Sequence, residues 1–232
     1  MTIPTDVLRD EHMIILRGLD LLEAAAARLE AGTGPPESWW DEALTWFRDF
    51  ADRNHHAKEE NSLFPAMIKA GAPAAGCPVD VMLEEHAEGR ALLQAMTAND
   101  PRERTRVVRQ YAQLLRDHID KEHGIVFPLA EAILDEQALE WIAHEFNTVE
   151  AEQGDRASLD SAQSVVDGLG AALGSATHHR EENRPDMTNR GATPGNQRRH
   201  SGPCLVDLHS PNEASAGWRS GLGCPVLRVT CS

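Results

Sequence analysis

The chain has 232 residues, of which 41% are hydrophobic, and a formal net charge of −15. This charge disfavours nucleic acid or an anionic membrane surface as a partner, because phosphate binding needs clustered Lys and Arg, and no stretch approaches the roughly 18 uninterrupted apolar residues of a membrane span. The start of the chain does not resemble a signal peptide and the four cysteines form no CxxC pair, so we predict a cytoplasmic location.

The first two predicted helices carry apolar residues at steps of three and four, which is the helical period. The first runs from about Asp6 to Ala31, where the sequence GTGPP ends it. The second runs from Ser38, an expected N-cap, to Gly71. We expect Pro65 to kink the second helix near its end.

Two more long helices and a short one are predicted further along the chain. The third helix begins at Asp80. The fourth opens with NDPRE, in which Asp100 is the expected N-cap, Pro101 takes the first helical position and Glu103 completes a capping box. The short helix is expected over about residues 136–153, ending at Gly154.

The fold class predicted from this pattern is all-α. Four long amphipathic helices with short connections indicate an up-down-up-down four-helix bundle with a short additional helix, occupying residues 1–154. Residues 155–232 are poor in large apolar residues and are interrupted by Gly, Ser and Pro, so we predict a disordered tail. Within it, residues 159–173 have only a weak helical tendency, because Gly168 and Gly170 oppose a helix.

One pattern occurs twice in the chain, as HHAKEENSLFP at residues 55–65 and as HIDKEHGIVFP at residues 118–128. In both, a histidine stands four residues before a glutamate. This spacing puts the two side chains on one face of a helix, about 6 Å apart along its axis. The two pairs are His55 with Glu59 and His118 with Glu122.

The apolar faces of the first and third helices are each interrupted by one histidine, His12 and His86. Four imidazoles and two carboxylates thus occupy core positions, where an isolated buried carboxylate costs several kcal/mol or is driven to protonate. Two divalent cations would compensate this cost, because each carboxylate can bridge them. Nitrogen and oxygen ligands without thiolate indicate iron or manganese, with zinc possible. The six predicted ligands are His12, His55, Glu59, His86, His118 and Glu122.

Several alternatives stay open at the level of sequence. The pair in the second helix could be His56 with Glu60, although the aligned Phe-Pro dipeptides favour His55 with Glu59. We expect His56 and His123 to face away from the ligands, because neighbouring residues of a helix lie about 100° apart. Tyr111 is more typical of core packing than of a metal role, and His144 is expected at the surface or beside the ligands. In a further alternative, the bundle is purely structural and these polar residues form hydrogen bonds without binding metal.

With these motifs, the chain resembles the hemerythrin-like proteins, also called HHE cation-binding domains, over about residues 6–154. The similar segments are LRDEHMIILRGLDLLE, HHAKEENSLFP, MLEEHAEGRALL and HIDKEHGIVFPLAE. The resemblance implies a non-heme di-iron centre in which the four histidines are terminal ligands and the two glutamates are bridges. The chain differs from oxygen-carrying hemerythrins, because Arg90 replaces a second histidine on the third helix and HxxxE replaces HxxxxD on the fourth.

These differences disfavour reversible oxygen transport. The leading hypothesis is a protein that binds or senses dioxygen, nitric oxide or iron at two non-heme iron ions, with manganese or zinc as alternative metals. The second hypothesis is an oxidative-stress enzyme with catalase-like breakdown of peroxide. Either function implies a small diatomic ligand or peroxide as the partner, and no nucleic acid or membrane.

Overall fold

The computed structural model describes residues 3–73, 78–97 and 100–181, and over these residues the protein is all-α, with no strand. In the described part of the chain, no helix is both long and apolar enough to span a bilayer. The α-helices are α1 (Pro4–Glu30), α2 (Glu37–Trp46), α3 (Phe64–Lys69), α4 (Pro78–Ala95), α5 (Pro101–Lys121), α6 (Phe127–Ile133), α7 (Glu136–Gln153) and α8 (Leu159–Glu181).

Among the described residues, three segments are π-helical, with wider turns than an α-helix: Phe47–His56, Glu59–Leu63 and Glu122–Val126. The second and third end directly before the two Phe-Pro dipeptides, which open α3 and α6. Each proline lacks an N–H and its ring would clash with a carbonyl in an ordinary α-helical turn. The predicted kink near Pro65 therefore coincides with a change from π-helix to α-helix. Short π-helical segments are frequent at functional sites.

Several predicted helix ends are confirmed. Asp100 is the N-cap of α5 and accepts a hydrogen bond from the backbone N–H of Arg102 at 3.0 Å, and Pro101 takes the first helical position. The short helix α7 has the predicted bounds. Asp135 caps its start, and Gly154 follows its end at a φ of 64°, a conformation that favours glycine.

Other details of the predicted helix ends are wrong. Ser38 is not an N-cap, because α2 already begins at Glu37, directly after a proline. The third helix begins two residues before Asp80, at another proline, whose fixed φ suits the first helical turn. Glu103 bonds the side chain of Arg106 at 2.9 Å, an alternative to the predicted capping box.

The predicted end of the folded part at residue 154 is also corrected, because α8 packs against α1 and α2. Its inward side chains are at most 3% exposed, and the indole N–H of Trp39 donates a 2.9 Å hydrogen bond to the carbonyl of Leu169. The low apolar content of this segment hides one regular apolar stripe, made by Ala162, Val166, Leu169 and Leu173. Residues 182–232 lie outside the described residues, so the disorder predicted there stays a prediction.

The helices form a closed ring of neighbours around the six predicted ligands. α1 contacts α5, α5 contacts α4, and both α4 and α1 contact the π-helical segment Phe47–His56. The buried apolar residues form two clusters, one on either side of the polar residues along these helices. The predicted ligands therefore lie in a polar layer between two apolar layers.

Candidate metal centre

All six predicted ligands meet in the interior, and none is more than 1% exposed. Their nitrogen and oxygen atoms form two groups, and the atoms of each group lie within 4.8 Å of one another. The first subsite contains His12 and His55, and the second contains His86 and His118. Glu59 and Glu122 belong to both subsites.

Glu122 lies between the two subsites, with one oxygen directed to each. Its Oε2 is 3.1 Å from Nε2 of His12, and its Oε1 is 3.2 Å from Nε2 of His118. This is the geometry that a carboxylate needs in order to bind one cation with each oxygen.

Glu59 is arranged in the same way. Its Oε1 is 3.8 Å from Nε2 of His55, and its Oε2 is 3.4 Å from Nε2 of His86. Each subsite is therefore surrounded by two imidazole nitrogens and two carboxylate oxygens, one from each glutamate.

Most of the buried polar atoms that face the centre lack hydrogen-bond partners, whereas Nε2 of His86 and Nε2 of His118 lie 3.1 Å apart. Among the described residues, no donor satisfies either oxygen of Glu59 or Glu122 with good geometry, and Nε2 of His12 and His55 is likewise unsatisfied. A buried polar group left in this state costs about 1–3 kcal/mol, and more when it is charged. Cations at the two subsites would satisfy these atoms, so the donor set fits metal ions.

The four imidazoles are oriented from outside the cluster through their Nδ1 atoms. Three of the partners are carboxylates, which only accept, so these imidazoles carry a proton on Nδ1 and direct Nε2 to the centre. Metal-binding histidines in proteins are held by such outer partners. The contacts are His12 with Nε2 of His123 at 2.9 Å, His55 with Glu11 at 2.8 Å, His86 with Glu60 at 2.7 Å and His118 with Glu85 at 2.9 Å.

The repeated lysine of the two motifs holds two of these outer carboxylates. Lys58 bonds Glu11, and Lys121 bonds Glu85. The sequence analysis missed both glutamates. The signal was the dipeptide Glu-His, because Glu11 and Glu85 directly precede His12 and His86. Glu11, which precedes His12, orients His55 of the next long helix. Glu85, which precedes His86, likewise orients His118.

His56 does not face away from the ligands, as the sequence predicted. It is 5% exposed, and its ring stacks on that of His86 with a centroid distance of 3.9 Å and an angle of 17°. The error arises because the π-helical segment Phe47–His56 departs from 100° per residue. His56, His86 and His118 each place a ring nitrogen within 4.8 Å of the other two, so His56 lines the second subsite beside His86. Glu60, its partner in the alternative register, bonds His86 from outside.

Other polar residues near the centre have separate roles. His123 is exposed but does not face away from the ligands as predicted, since its Nε2 lies 2.9 Å from Nδ1 of His12. Tyr111 packs in the apolar core, edge-on to Phe47 at 5.5 Å. Arg90 pairs with Asp52 at 2.7 Å and with Glu60 at 2.6 Å, so it reaches the second subsite only through the partner of His86. His144 is exposed on α7.

The two glutamates differ in their electrostatics. Burial, together with the negative charge of Glu122, raises the pKa of Glu59 well above its usual value. Burial also acts to raise the pKa of Glu122, but the positive charge of His118 brings it well below the usual value. Burial acts to lower the pKa of His118, but the charges of Glu122 and Glu85 raise it to about 9. Of the two carboxyls, Glu59 therefore takes up a proton more readily, and a bound cation would compete with that proton.

Comparison with known proteins agrees with this geometry. The family model described as "Hemerythrin HHE cation binding domain" matches residues 3–130. Similar proteins include an uncharacterized protein of Mycobacterium bovis and uncharacterized proteins of two Mycobacterium tuberculosis strains. Each is 28% identical over 177 residues, covering 72% of this chain and 67% of the relative. No solved structure matches the chain.

Proposed function

We propose that the cluster of six residues holds two non-heme iron ions. The premise is that this chain belongs to the hemerythrin HHE cation-binding domain family. The observation that carries the proposal is the placement of Glu59 and Glu122, each with one oxygen toward either subsite. The nitrogen and oxygen donors also suit manganese, and zinc less specifically.

The architecture that we propose for this centre is an up-down-up-down four-helix bundle. Its four members would be α1, the long helical region from α2 through α3, α4, and α5 with its continuation into α6. The ring of contacts among these elements supports the arrangement, and bundle interiors commonly hold dinuclear carboxylate sites.

Within the centre, the four histidines and the two glutamates would hold the iron ions. Iron supplies redox chemistry and coordination positions for a small ligand. The protein contributes orientation, since the outer partners direct the Nε2 atoms to the centre, and it excludes water by burial. Each subsite offers two nitrogens and two oxygens. Because an octahedral ion takes six donors, a further ligand could also bind there.

We therefore propose that the protein binds or senses dioxygen, nitric oxide or iron. The replacement of a second histidine on the third helix by Arg90 supports a ligand-accessible second subsite, because Arg90 pairs with carboxylates rather than offering a donor. A cytoplasmic location stays a prediction.

The test combines metal analysis with optical spectroscopy of protein from iron-supplied cells. We expect two iron ions per chain, and a new charge-transfer band when the reduced protein meets dioxygen or nitric oxide. His118→Ala should lose iron and the band, whereas His144→Ala, a change at an exposed histidine, should keep both. Protein without bound metal, or a reduced centre that is spectroscopically inert to both gases, would refute the proposal.

A second candidate function is catalase-like breakdown of peroxide. The observation that favours it is His56, a buried imidazole beside the second subsite that can hold or pass a proton. Oxygen evolution from peroxide should then fall in His56→Gln while iron content is kept. Equal rates in wild type, His56→Gln and His118→Ala would exclude this activity.

A further inference from the structure

A line of charged contacts runs from the surface of α7 to the first subsite. Oε1 of Glu150 lies 2.7 Å from Nζ of Lys58, which also bonds Oε1 of Glu11. The other oxygen of Glu11 accepts from Nδ1 of His55 at 2.8 Å. Three contacts therefore connect a glutamate with a 42% exposed side chain to a predicted ligand that is 1% exposed.

The helix that provides Glu150 lies outside the region matched by the family model, which ends at residue 130. α7 is docked by apolar residues, since Ile142, Phe146 and Val149 are all buried. The ammonium of Lys58 stands 5.6 Å from the ring centroid of Phe146. This helix therefore covers Lys58 and supplies it with a second carboxylate.

The corresponding contact in the other half of the protein shows what this carboxylate does. Lys121 bonds Glu85, which bonds His118, but the side chain of Lys121 is 37% exposed and water can solvate its charge. The side chain of Lys58 is 0% exposed. A buried ammonium without solvent needs protein acceptors, and Glu150 supplies one of them.

We propose that Glu150 is a positioning residue of the centre, which fixes Lys58 so that Glu11 holds the Nδ1 proton of His55 and aims Nε2 at the first subsite. Without the carboxylate of Glu150, the desolvated ammonium has Glu11 as its one remaining charged acceptor among the residues that the structure describes. It then turns toward solvent and draws Glu11 away from His55. The role assigned to Nε2 rests on the proposed function, whereas the effect on the tautomer of His55 does not.

The first experiment needs no metal. The ring nitrogens of His55 are observed by ¹⁵N NMR at pH 7 in metal-free wild type, Glu150→Gln and Glu152→Gln. The ring is neutral at this pH, because burial lowers the pKa of His55 well below its usual value. We expect the Nδ1–H tautomer alone in wild type and in Glu152→Gln, which makes the same charge change at an exposed position of α7. A mixture of both tautomers is expected in Glu150→Gln.

The second experiment measures how fast Co²⁺, bound in place of iron, is lost to excess EDTA. Loss should be about tenfold faster from Glu150→Gln than from wild type, the usual scale for an outer partner of a ligand, and unchanged in Glu152→Gln. Glu150→Asp, which keeps the charge, should lie between them. Thermal unfolding of the metal-free variants shows whether each is folded, and Glu150→Asp takes the place of Glu150→Gln if the latter is not.

The outcomes separate the two proposals. An unchanged His55 tautomer in Glu150→Gln, or equal rates of Co²⁺ loss from Glu150→Gln and Glu152→Gln, overturns the role of Glu150. Wild-type protein that binds neither Co²⁺ nor iron overturns the proposed function, while the tautomer measurement still tests the contact.

Discussion

Glu59 and Glu122 occupy the same position in two copies of one motif, yet their surroundings give them different charges. Glu122 faces His118, whose pKa is raised to about 9, and stays ionised. Glu59 lies beside the ionised Glu122, and burial together with this negative charge raises its pKa well above the usual value. The pKa values of two interacting buried carboxyls move apart in this way, because both groups cannot ionise without a compensating cation.

This difference predicts unequal effects of two matched substitutions on metal-free protein at pH 7. Glu59→Gln removes a carboxyl whose charged form the site disfavours, so the free energy of unfolding should change by about 1 kcal/mol or less. Glu122→Gln leaves the charge of His118 buried without this partner and should cost roughly 3–5 kcal/mol. Urea unfolding measures both. Both variants should fail to retain iron, and equal losses of stability would contradict the assigned charges.

A second prediction concerns Glu37, which receives hydrogen bonds of 2.9 and 2.5 Å from the buried Arg104. The bonds to Arg104 lower the pKa of Glu37 from 4.5. A lowered pKa contributes stability above the ordinary value, and this contribution is lost as the pH falls through the lowered pKa. Glu37 is 64% exposed, so solvent screening limits its contribution to about 1 kcal/mol or less.

Urea unfolding of wild type and Glu37→Gln at several pH values measures how the stabilisation by Glu37 depends on pH. Wild type should be the more stable at pH 7, and the difference should shrink once the pH falls below about 4.5. The exposed Glu42→Gln serves as the control with the same charge change. A difference that grows on acidification would contradict the prediction.

At the scale of elements, the long helices were predictable because their apolar period is regular, and the six candidate ligands because they interrupt that period. The π-helical segments were not predictable, since sequence reasoning assumes one α-helical period throughout, and His56 was misplaced for this reason. The partners of the histidines depend on which helices are neighbours. Glu11 and Glu85 lie beside histidines in the sequence, but each acts on a histidine of another helix.

α8 shows the opposite failure, in which average composition hid a local pattern. Leu169 is 3% exposed and accepts the indole hydrogen bond of Trp39 through its backbone, whereas Leu159 on the same helix is 37% exposed. Helix propensity was a weak guide because packing on α1 and α2 outweighs two glycines.

This packing predicts that Leu169→Ala lowers the free energy of unfolding by about 2–5 kcal/mol, as for a buried leucine. Leu159→Ala should change it by less than about 0.5 kcal/mol, as for a surface site. Chemical denaturation of the two variants decides between a docked α8 and a disordered segment, because a disordered segment would make both substitutions neutral.

At the scale of the whole molecule, the metal centre joins four helical regions through side chains that only the folded chain brings together. Cations that bind the folded state and not the unfolded chain stabilise it by mass action, by about 2.7 kcal/mol when free metal is 100 times the dissociation constant. Acid should reverse this gain, because protons compete for the same nitrogens and oxygens.

We therefore expect anaerobic Fe²⁺ to raise the unfolding temperature at pH 7, and EDTA or acidification to remove the increase. His118→Ala should show little response to Fe²⁺, while His144→Ala should respond like wild type. Calorimetry with and without Fe²⁺ measures the effect. An identical increase in His118→Ala would place the responsible binding site elsewhere.

The ligands of the two subsites come from different pairs of helical elements. α1 and the helical region after it provide both imidazoles of one subsite, and α4 and α5 provide both imidazoles of the other, yet each pair contributes only one of the two shared carboxylates. Neither of these two pairs of helical elements could provide all six ligands alone. Two associated copies of one pair, however, would provide four histidines and two glutamates.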